Sequence, residues 1–474
     1  MGKKILFIIP DGIGIRNYLY SDLFSKLHEE GVQIYLLHNL ESRIIDYVKE
    51  EKNIPFGEEP LRKVRETRFQ QFLRETSTYG RLKYNADLKQ NPTILTNWFK
   101  IKNNPIKRAF QKITEIAGNT ISSYEGIKYL EETNRLKWKR NPAFDGFKSD
   151  LSRIQPDFIF ITHQRVSNLE PLCLAASDLN IPTLTAIFSW DNLPKARLPL
   201  RTDWYAVWSD YMKVEMSDYY PEIPQNKVVV VGTPQFDFHF NKDLIQSREE
   251  FANEFGLDVS KKWVLFSGDD ELTSPHDPAY LEDVAHALED NSDVTILFRQ
   301  VPVCTVARYQ KILDQFDNIV HIPPKWKKGE HWMSFYPLFD DVKLLMNLCF
   351  HCEFSVNIGS TIGLDFSYFE KPTVFLAYDA IHDGEWTTDT VYQFQHFKSF
   401  MGMDAVVFAK EKTQLKQLLE QLLQKPEDFA TQKGKWRDKI ASNRPDNLSS
   451  TQISKLLITL LENESIFRET ELIN

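Results

Sequence analysis

The chain has 474 residues, 42% of them hydrophobic and 26% charged, with a formal net charge of -9. That length carries two or three domains with sizeable cores, and the composition is that of a globular protein. The acidic balance argues against a general nucleic-acid binder, and no apolar run reaches the roughly twenty residues of a transmembrane helix.

The segment KILFIIP at 4–10 reads as a buried strand and is too short for a signal peptide. It ends at Asp11-Gly12-Ile13-Gly14, and an amphipathic helix to residue 30 and a second strand, VQIYLLH at 32–38, follow. A β-turn-α-β opening of this kind begins a doubly wound domain. The turn is not the dinucleotide fingerprint, because Asn17 stands where the third glycine belongs. Gly12 still lets a ligand approach the backbone. Asp11 sits at the carboxyl edge of the strand, where such sheets bind ligands; capping the next helix is its alternative role.

Residues 43–150 turn helical and polar, with no strand expected. They carry three basic-aromatic clusters: Trp98-Phe99-Lys100-Ile101-Lys102, Lys107-Arg108-Ala109-Phe110 and Arg135-Leu136-Lys137-Trp138-Lys139-Arg140. Helices of this composition lie on an anionic membrane surface or form a solvated face.

Strands return at 157–162, 183–188, 204–208 and 228–231, with polar residues at their ends. His163 follows the first of these. It has three readings: a general base, a donor to phosphate, or a hydrogen-bonded structural histidine. Asp191, in the turn after the second, is a further candidate cleft residue. A polar helix over 242–258 is the expected junction. A second α/β unit then begins, with a strand at 263–266 followed by Gly268, a strand at 294–298 ending at Arg299, and a strand at 319–322.

The block 340–379 reads as helix, strand, the Gly359-Ser360-Thr361 turn, helix and strand. A small-residue turn opening a helix leaves free N–H groups and a positive dipole end, which bind phosphate. Asp365 lies about one turn into that helix, in reach of a ribose, and Arg299 ends a strand at the same sheet edge. The alternative is an ordinary βα connection. Four cysteines, Cys173, Cys304, Cys349 and Cys352, suggest reduced thiols and a cytoplasmic setting. The Cys349-Phe350-His351-Cys352 run lacks a second ligand pair, so no metal is expected. Helices at 413–423 and 450–461 close the chain.

Taken together, the junction Val229-Val230-Val231-Gly232-Thr233-Pro234-Gln235-Phe236-Asp237 and the block 340–379 resemble the GT-B superfamily of glycosyltransferases. The likeness is to its surface-polysaccharide and CDP-glycerol glycerophosphotransferase-like branch. It implies an α/β protein with two Rossmann-like domains facing a cleft: an acceptor domain at 1–240 with a helical insertion at about 43–150, and a donor domain at 241–440. The helices of 441–474 would pack back on the first. It further implies a nucleotide-sugar donor bound by Arg299, Gly359, Ser360, Thr361 and Asp365. Asp11 or His163 would deprotonate the hydroxyl of a glycan or lipid-linked acceptor. No cofactor, metal or nucleic-acid partner is implied, and the setting would be cytoplasmic, at the inner face of the membrane if the basic helices touch lipid. The chain departs from that branch in having Asp365 where glutamate is usual. It also reads Arg299-Gln300-Val301-Pro302 where relatives carry a histidine after the arginine. A nucleotide-sugar 2-epimerase and a non-catalytic binding scaffold of polysaccharide assembly are the competing expectations.

Overall fold

The structure is a computed structural model that describes residues 2–12, 14–101, 103–121, 123–327 and 335–462. It divides into two compact units, 1–234 with 440–474, and 235–439.

The first unit is built on a seven-stranded sheet. Its strands are β1 (Lys4–Ile9), β2 (Gln33–His38), β3 (Gly57–Pro60), β4 (Phe158–Ile161), β5 (Thr183–Ala186), β6 (Trp204–Val207) and β7 (Val228–Val230). They lie in the order β3-β2-β1-β4-β5-β6-β7, all parallel. Parallel strands covered by helices on both faces are apolar at nearly every position, and residues 5–9 and 158–161 are all buried. Strand order runs outward from β1 on one side and from β4 on the other. The crevice for a ligand is therefore expected at the carboxyl ends of β1 and β4.

Two local expectations change. The stretch 43–150 contains a strand after all: β3, sequence GEEP, pairs with β2 at the sheet edge. Edge strands need only one partner, so its polar composition carried no strand pattern. The first helix is also interrupted, with a π-helical turn Ile15–Leu19 followed by an α-helix Leu23–Glu29. Most of the other described residues of 43–150 are helical. The helix Arg68–Leu88, started by a Thr67/Gln70 capping box, packs against Pro105–Thr120 and Tyr124–Trp138. Near the end of the described chain, the helix Ser449–Glu462 lies against Leu23–Glu29, burying Ile453, Leu457 and Leu460.

The second unit holds a six-stranded parallel sheet. Its strands are β8 (Lys262–Ser267), β9 (Val294–Arg299), β10 (Ile319–His321), β13 (Ser355–Asn357), β14 (Thr373–Leu376) and β15 (Val407–Ala409). A separate antiparallel ribbon pairs β11 (Trp326–Lys327) with β12 (Tyr336–Pro337). The sheet order, β10-β9-β8-β13-β14-β15, places a second reversal between β8 and β13. Over 242–258 the expected long helix is shorter, Arg248–Phe255 after a 3-10 turn Lys242–Leu244. Its Phe251 and Ala252 join Trp263 and Leu265 in the core of this unit.

Candidate functional site

In the first unit the reversal brings two of the sequence candidates together. Asp11 follows β1, His163 follows β4, and His163 Nδ1 lies 2.7 Å from Asp11 Oδ2. Both side chains are buried. A carboxylate oxygen accepts, so Nδ1 carries the hydrogen and Nε2 is left as the free ring nitrogen. Nε2 is shielded from solvent and has no partner among the described residues. The ring packs against Phe188, 5.0 Å between centroids. This is the arrangement by which a carboxylate fixes the tautomer and orientation of a catalytic imidazole.

The neighbouring edge is tied down by a chain of side-chain bonds. Gln164 accepts from the Phe188 N–H at 2.9 Å and donates to Asn192 at 2.8 Å, and Asn192 donates to Asp191 at 2.8 Å. Asp191 is further held by an ion pair with Lys195, so this candidate is engaged within its own loop. The Gly12 carbonyl accepts from the Ile15 N–H at 3.3 Å, closing the turn after β1.

In the second unit the sequence candidates are distributed differently. Arg299 ends β9, but one of its terminal nitrogens is held by Asp341, at 3.0 Å from Oδ1 and 2.9 Å from Oδ2. Asp341 also accepts from the Lys325 N–H at 2.7 Å and from Trp326 Nε1 at 2.6 Å. The guanidinium is thus neutralised inside the protein, and its other terminal nitrogen is buried without a partner among the described residues. Asp365 turns toward His239, whose Nε2 lies 3.0 Å from Asp365 Oδ1 without the alignment of a hydrogen bond.

Gly359, Ser360 and Thr361 follow β13 at the reversal. Gly359 has φ +68, and a Cβ there would come 2.6 Å from the Phe397 ring, so only glycine fits on both counts. The Ser360 N–H donates to Asn357 Oδ1 at 2.8 Å, and the Ser360 and Thr361 carbonyls accept from Gly363 and Leu364. The side chains of Ser360 and Thr361 remain partly exposed. Gly268 follows β8, the strand that separates β9 from β13, so Arg299 and the Gly359 turn stand two strand spacings apart, about 10 Å.

Three acidic groups of the second unit escaped the sequence reading. Asp341 is one; in sequence nothing separates it from Asp340 beside it. Asp269 and Asp277 are the others. Burial first, then the charges of Asp277 and Asp270, push the Asp269 carboxyl up to about 8. Burial pushes Asp277 up to about 6 against the hydrogen bond from Tyr309, 2.6 Å long. The signal for Asp269 was available: a carboxylate immediately past the carboxyl end of a buried strand.

The basic-aromatic clusters of 98–140 do not form one surface. Trp138 is 1% exposed and packs with Phe144, Phe147 and Leu151 in the core, which corrects its expected place on a membrane-facing side. Trp98 Nε1 donates to Glu115 at 3.0 Å, and Lys139 pairs with Asp178 at 3.2 Å. Lys102 lies outside the described residues, as does Ile13 of the first turn. Among the exposed apolar side chains of this stretch are Phe99 at 65%, Ile106 at 81%, Ile113 and Ile116 at 57% each, and Leu136 at 55%. No helix among the described residues is long and apolar enough to cross a membrane. No group of three metal-ligating side chains occurs among them either.

Two doubly wound parallel α/β units in one chain define the GT-B fold. Solved structures agree with that class. The S. aureus MnaA–UDP structure matches with a TM-score of 0.52 at 15% identity, covering 97% of each chain. A UDP-N-acetylglucosamine 2-epimerase matches at 0.53 and 11% identity, over 99% of this chain and 97% of its own. A glycosyltransferase from Rickettsia africae ESF-5 matches at 0.51 and 9% identity, over 98% of both chains. At these identities the likeness is one of fold. No protein-family model matches the chain, and no curated protein matches its sequence.

Proposed function

We propose that this protein is a glycosyltransferase that moves a sugar from a nucleotide-sugar to a hydroxyl of a cell-surface glycan or lipid-linked acceptor. The observation that carries the reading is the Asp11–His163 pair at the strand-order reversal of the first unit, with Nε2 unpartnered among the described residues. In the proposed step the acceptor O–H proton passes to Nε2 and the acceptor oxygen attacks the anomeric carbon. The bond from that carbon to the diphosphate breaks, and the diphosphate leaves with the electron pair. Asp11 steadies the imidazolium that forms. The nucleotide diphosphate is assigned to the reversal of the second unit, on the Gly359-Ser360-Thr361 turn, where the partly exposed Ser360 and Thr361 carry hydroxyls that suit a developing negative charge. Of the family residues, Ser360 and Thr361 keep this role. Arg299 is assigned to its buried pair with Asp341, and Asp365 faces His239.

A peripheral site on anionic lipid goes with this reading. Ile106, Ile113 and Ile116 are exposed along the helix Pro105–Thr120, which also carries Lys107, Arg108 and Lys112, and Phe99 and Lys100 precede it in the chain. An apolar stripe with flanking cations matches a negatively charged headgroup layer.

Product analysis with a panel of nucleotide-sugars, with and without glycan acceptor, tests the assignment. Transfer to acceptor supports it. Conversion of the donor alone to its 2-epimer would replace it with the epimerase reading, which the fold of the UDP-N-acetylglucosamine 2-epimerases keeps open.

A further inference from the structure

Within the first unit a cavity of about 560 Å³ lies between the helices Arg68–Leu88 and Tyr124–Trp138 and the loops that follow β4 and β5. Most of the basic groups on its wall are matched. Arg81 is paired with Glu131 at 2.7 Å, Arg201 with Glu131 at 2.8 Å, Arg74 with Glu66 at 2.9 Å and Arg135 with Glu170 at 3.0 Å. Arg165 and Arg197 differ: both line the cavity, and neither guanidinium has a hydrogen bond or ion pair among the described residues. Burial lowers the Arg197 pKa, with Arg165 and Arg74 acting in the same direction and Glu75 against them. An unmatched, half-buried guanidinium facing like charge is a costly arrangement unless an anion completes it.

Three residues of the same wall also carry buried polar atoms that lack partners among the described residues. Buried and unsatisfied among the described residues are the Tyr220 hydroxyl, Glu170 Oε2 and Asn134 Oδ1, all from residues lining this cavity. Tyr220 and Glu170 are more than nine-tenths buried. Burial pushes the Glu170 carboxyl up to about 7, so near neutrality it can donate as well as accept. Buried polar atoms without partners are uncommon in folded proteins, and several around one cavity mark a place for a ligand or ordered water.

We infer that this cavity binds a phosphorylated sugar or polyol, its phosphate on Arg165 and Arg197 and its hydroxyls on Tyr220, Glu170 and Asn134. The inference deepens the transfer reading by giving the chemistry of the acceptor, and rests on that reading only for the ligand's role as acceptor. Binding itself requires neither His163 nor the second unit's turn.

The test uses the full chain, calorimetry, and four probes: glucose 6-phosphate, glucose, inorganic phosphate and UDP. Glucose 6-phosphate is expected to bind most tightly of the first three. Arg197→Gln and Arg165→Gln should each weaken it by about ten- to a hundredfold, the loss expected for one charge-assisted bond, with UDP affinity unchanged. Because Arg197 has no hydrogen bond or ion pair among the described residues, its glutamine variant should melt no lower than the parent; a structural role would lower the melt. Tyr220→Phe should weaken glucose 6-phosphate and leave inorganic phosphate as it was. Undetectable binding of glucose 6-phosphate overturns the inference. So does equal affinity for inorganic phosphate, or affinity unchanged by the two arginine variants. Tight binding of glucose 6-phosphate alongside absent sugar transfer would overturn the transferase reading and leave this site standing.

Discussion

Asp11 and His163 are 152 positions apart in the chain, and Asp11 Oδ2 stands 2.7 Å from His163 Nδ1. The contact exists because β1 and β4 are neighbours in the sheet, each ending in one of the two side chains. His163→Ala should lower kcat by about 10²–10⁴-fold, the usual contribution of a general base, and the variant's melting temperature should rise with UDP as much as the parent's does. Asp11→Asn should keep the fold and reduce kcat as well, because an amide can present its N–H to Nδ1 and turn the tautomer. Steady-state kinetics beside a nucleotide melting panel reads both, and full turnover in either variant removes that residue from the chemistry.

The Arg299–Asp341 pair is buried, so removing one partner leaves the other charge uncompensated. Asp341→Asn and Arg299→Ala should each cost roughly 3–5 kcal/mol in urea unfolding, and replacing both by apolar residues should recover much of it. If Arg299 instead acts directly on the donor, Arg299→Ala will weaken nucleoside diphosphate while free nucleoside binds as before. Equal behaviour toward the two ligands, with a lowered urea midpoint, supports the structural role.

Gly359 carries a left-handed φ of +68 under the Phe397 ring. Gly359→Ala adds strain of about 1–2 kcal/mol from the backbone and roughly 1–3 kcal/mol from crowding. Pairing it with Phe397→Leu should return only the crowding part. Thermal unfolding of the three variants separates the two contributions, and a neutral Gly359→Ala would contradict the geometry of the turn.

Asp269 gives the second unit a pH dependence. Its pKa of about 8 in the folded chain lies above the unfolded value of about 3.9, so the folded state holds the proton longer. Its contribution to stability is complete at low pH and falls as pH rises from about 4 toward 8. Asp269→Asn should flatten that slope and be more stable than the parent above pH 8, by roughly 1–3 kcal/mol. Urea midpoints measured across pH 5–9 that decline equally in both proteins would exclude Asp269 as the source.

On the helix Pro105–Thr120 the exposed isoleucines should decide lipid affinity. Ile106→Ser with Ile113→Ser should abolish co-sedimentation with phosphatidylserine-containing vesicles, whereas Trp138→Phe, inside the core, should leave it unchanged. Added salt should weaken the parent's binding as the headgroup charge is screened. Unchanged binding of the double serine variant would return this face to the solvent.

Local pattern decided the two α/β units. Runs such as KILFII, FIFI and WVLF are apolar at consecutive positions because strands sandwiched between helices bury both faces, and that burial is written in adjacent residues. Pattern also located Asp11, His163 and the Gly359 turn, since strand ends are visible where an apolar run stops. What pattern left open was which strand lies beside which. Strand order joined Asp11 to His163, where the sequence offered them as alternatives, and set β8 between Arg299 and Gly359. The packing of helices on the second sheet tied Arg299 to Asp341 and turned Asp365 toward His239. Trp138 sits among cationic neighbours in sequence and among Phe144 and Phe147 in space. β3 exists only because β2 offers an unpaired edge to a polar GEEP. Most of these depend on contacts between residues far apart in the chain, and all of them on partners chosen by tertiary packing, which leave no mark in the nearest neighbours.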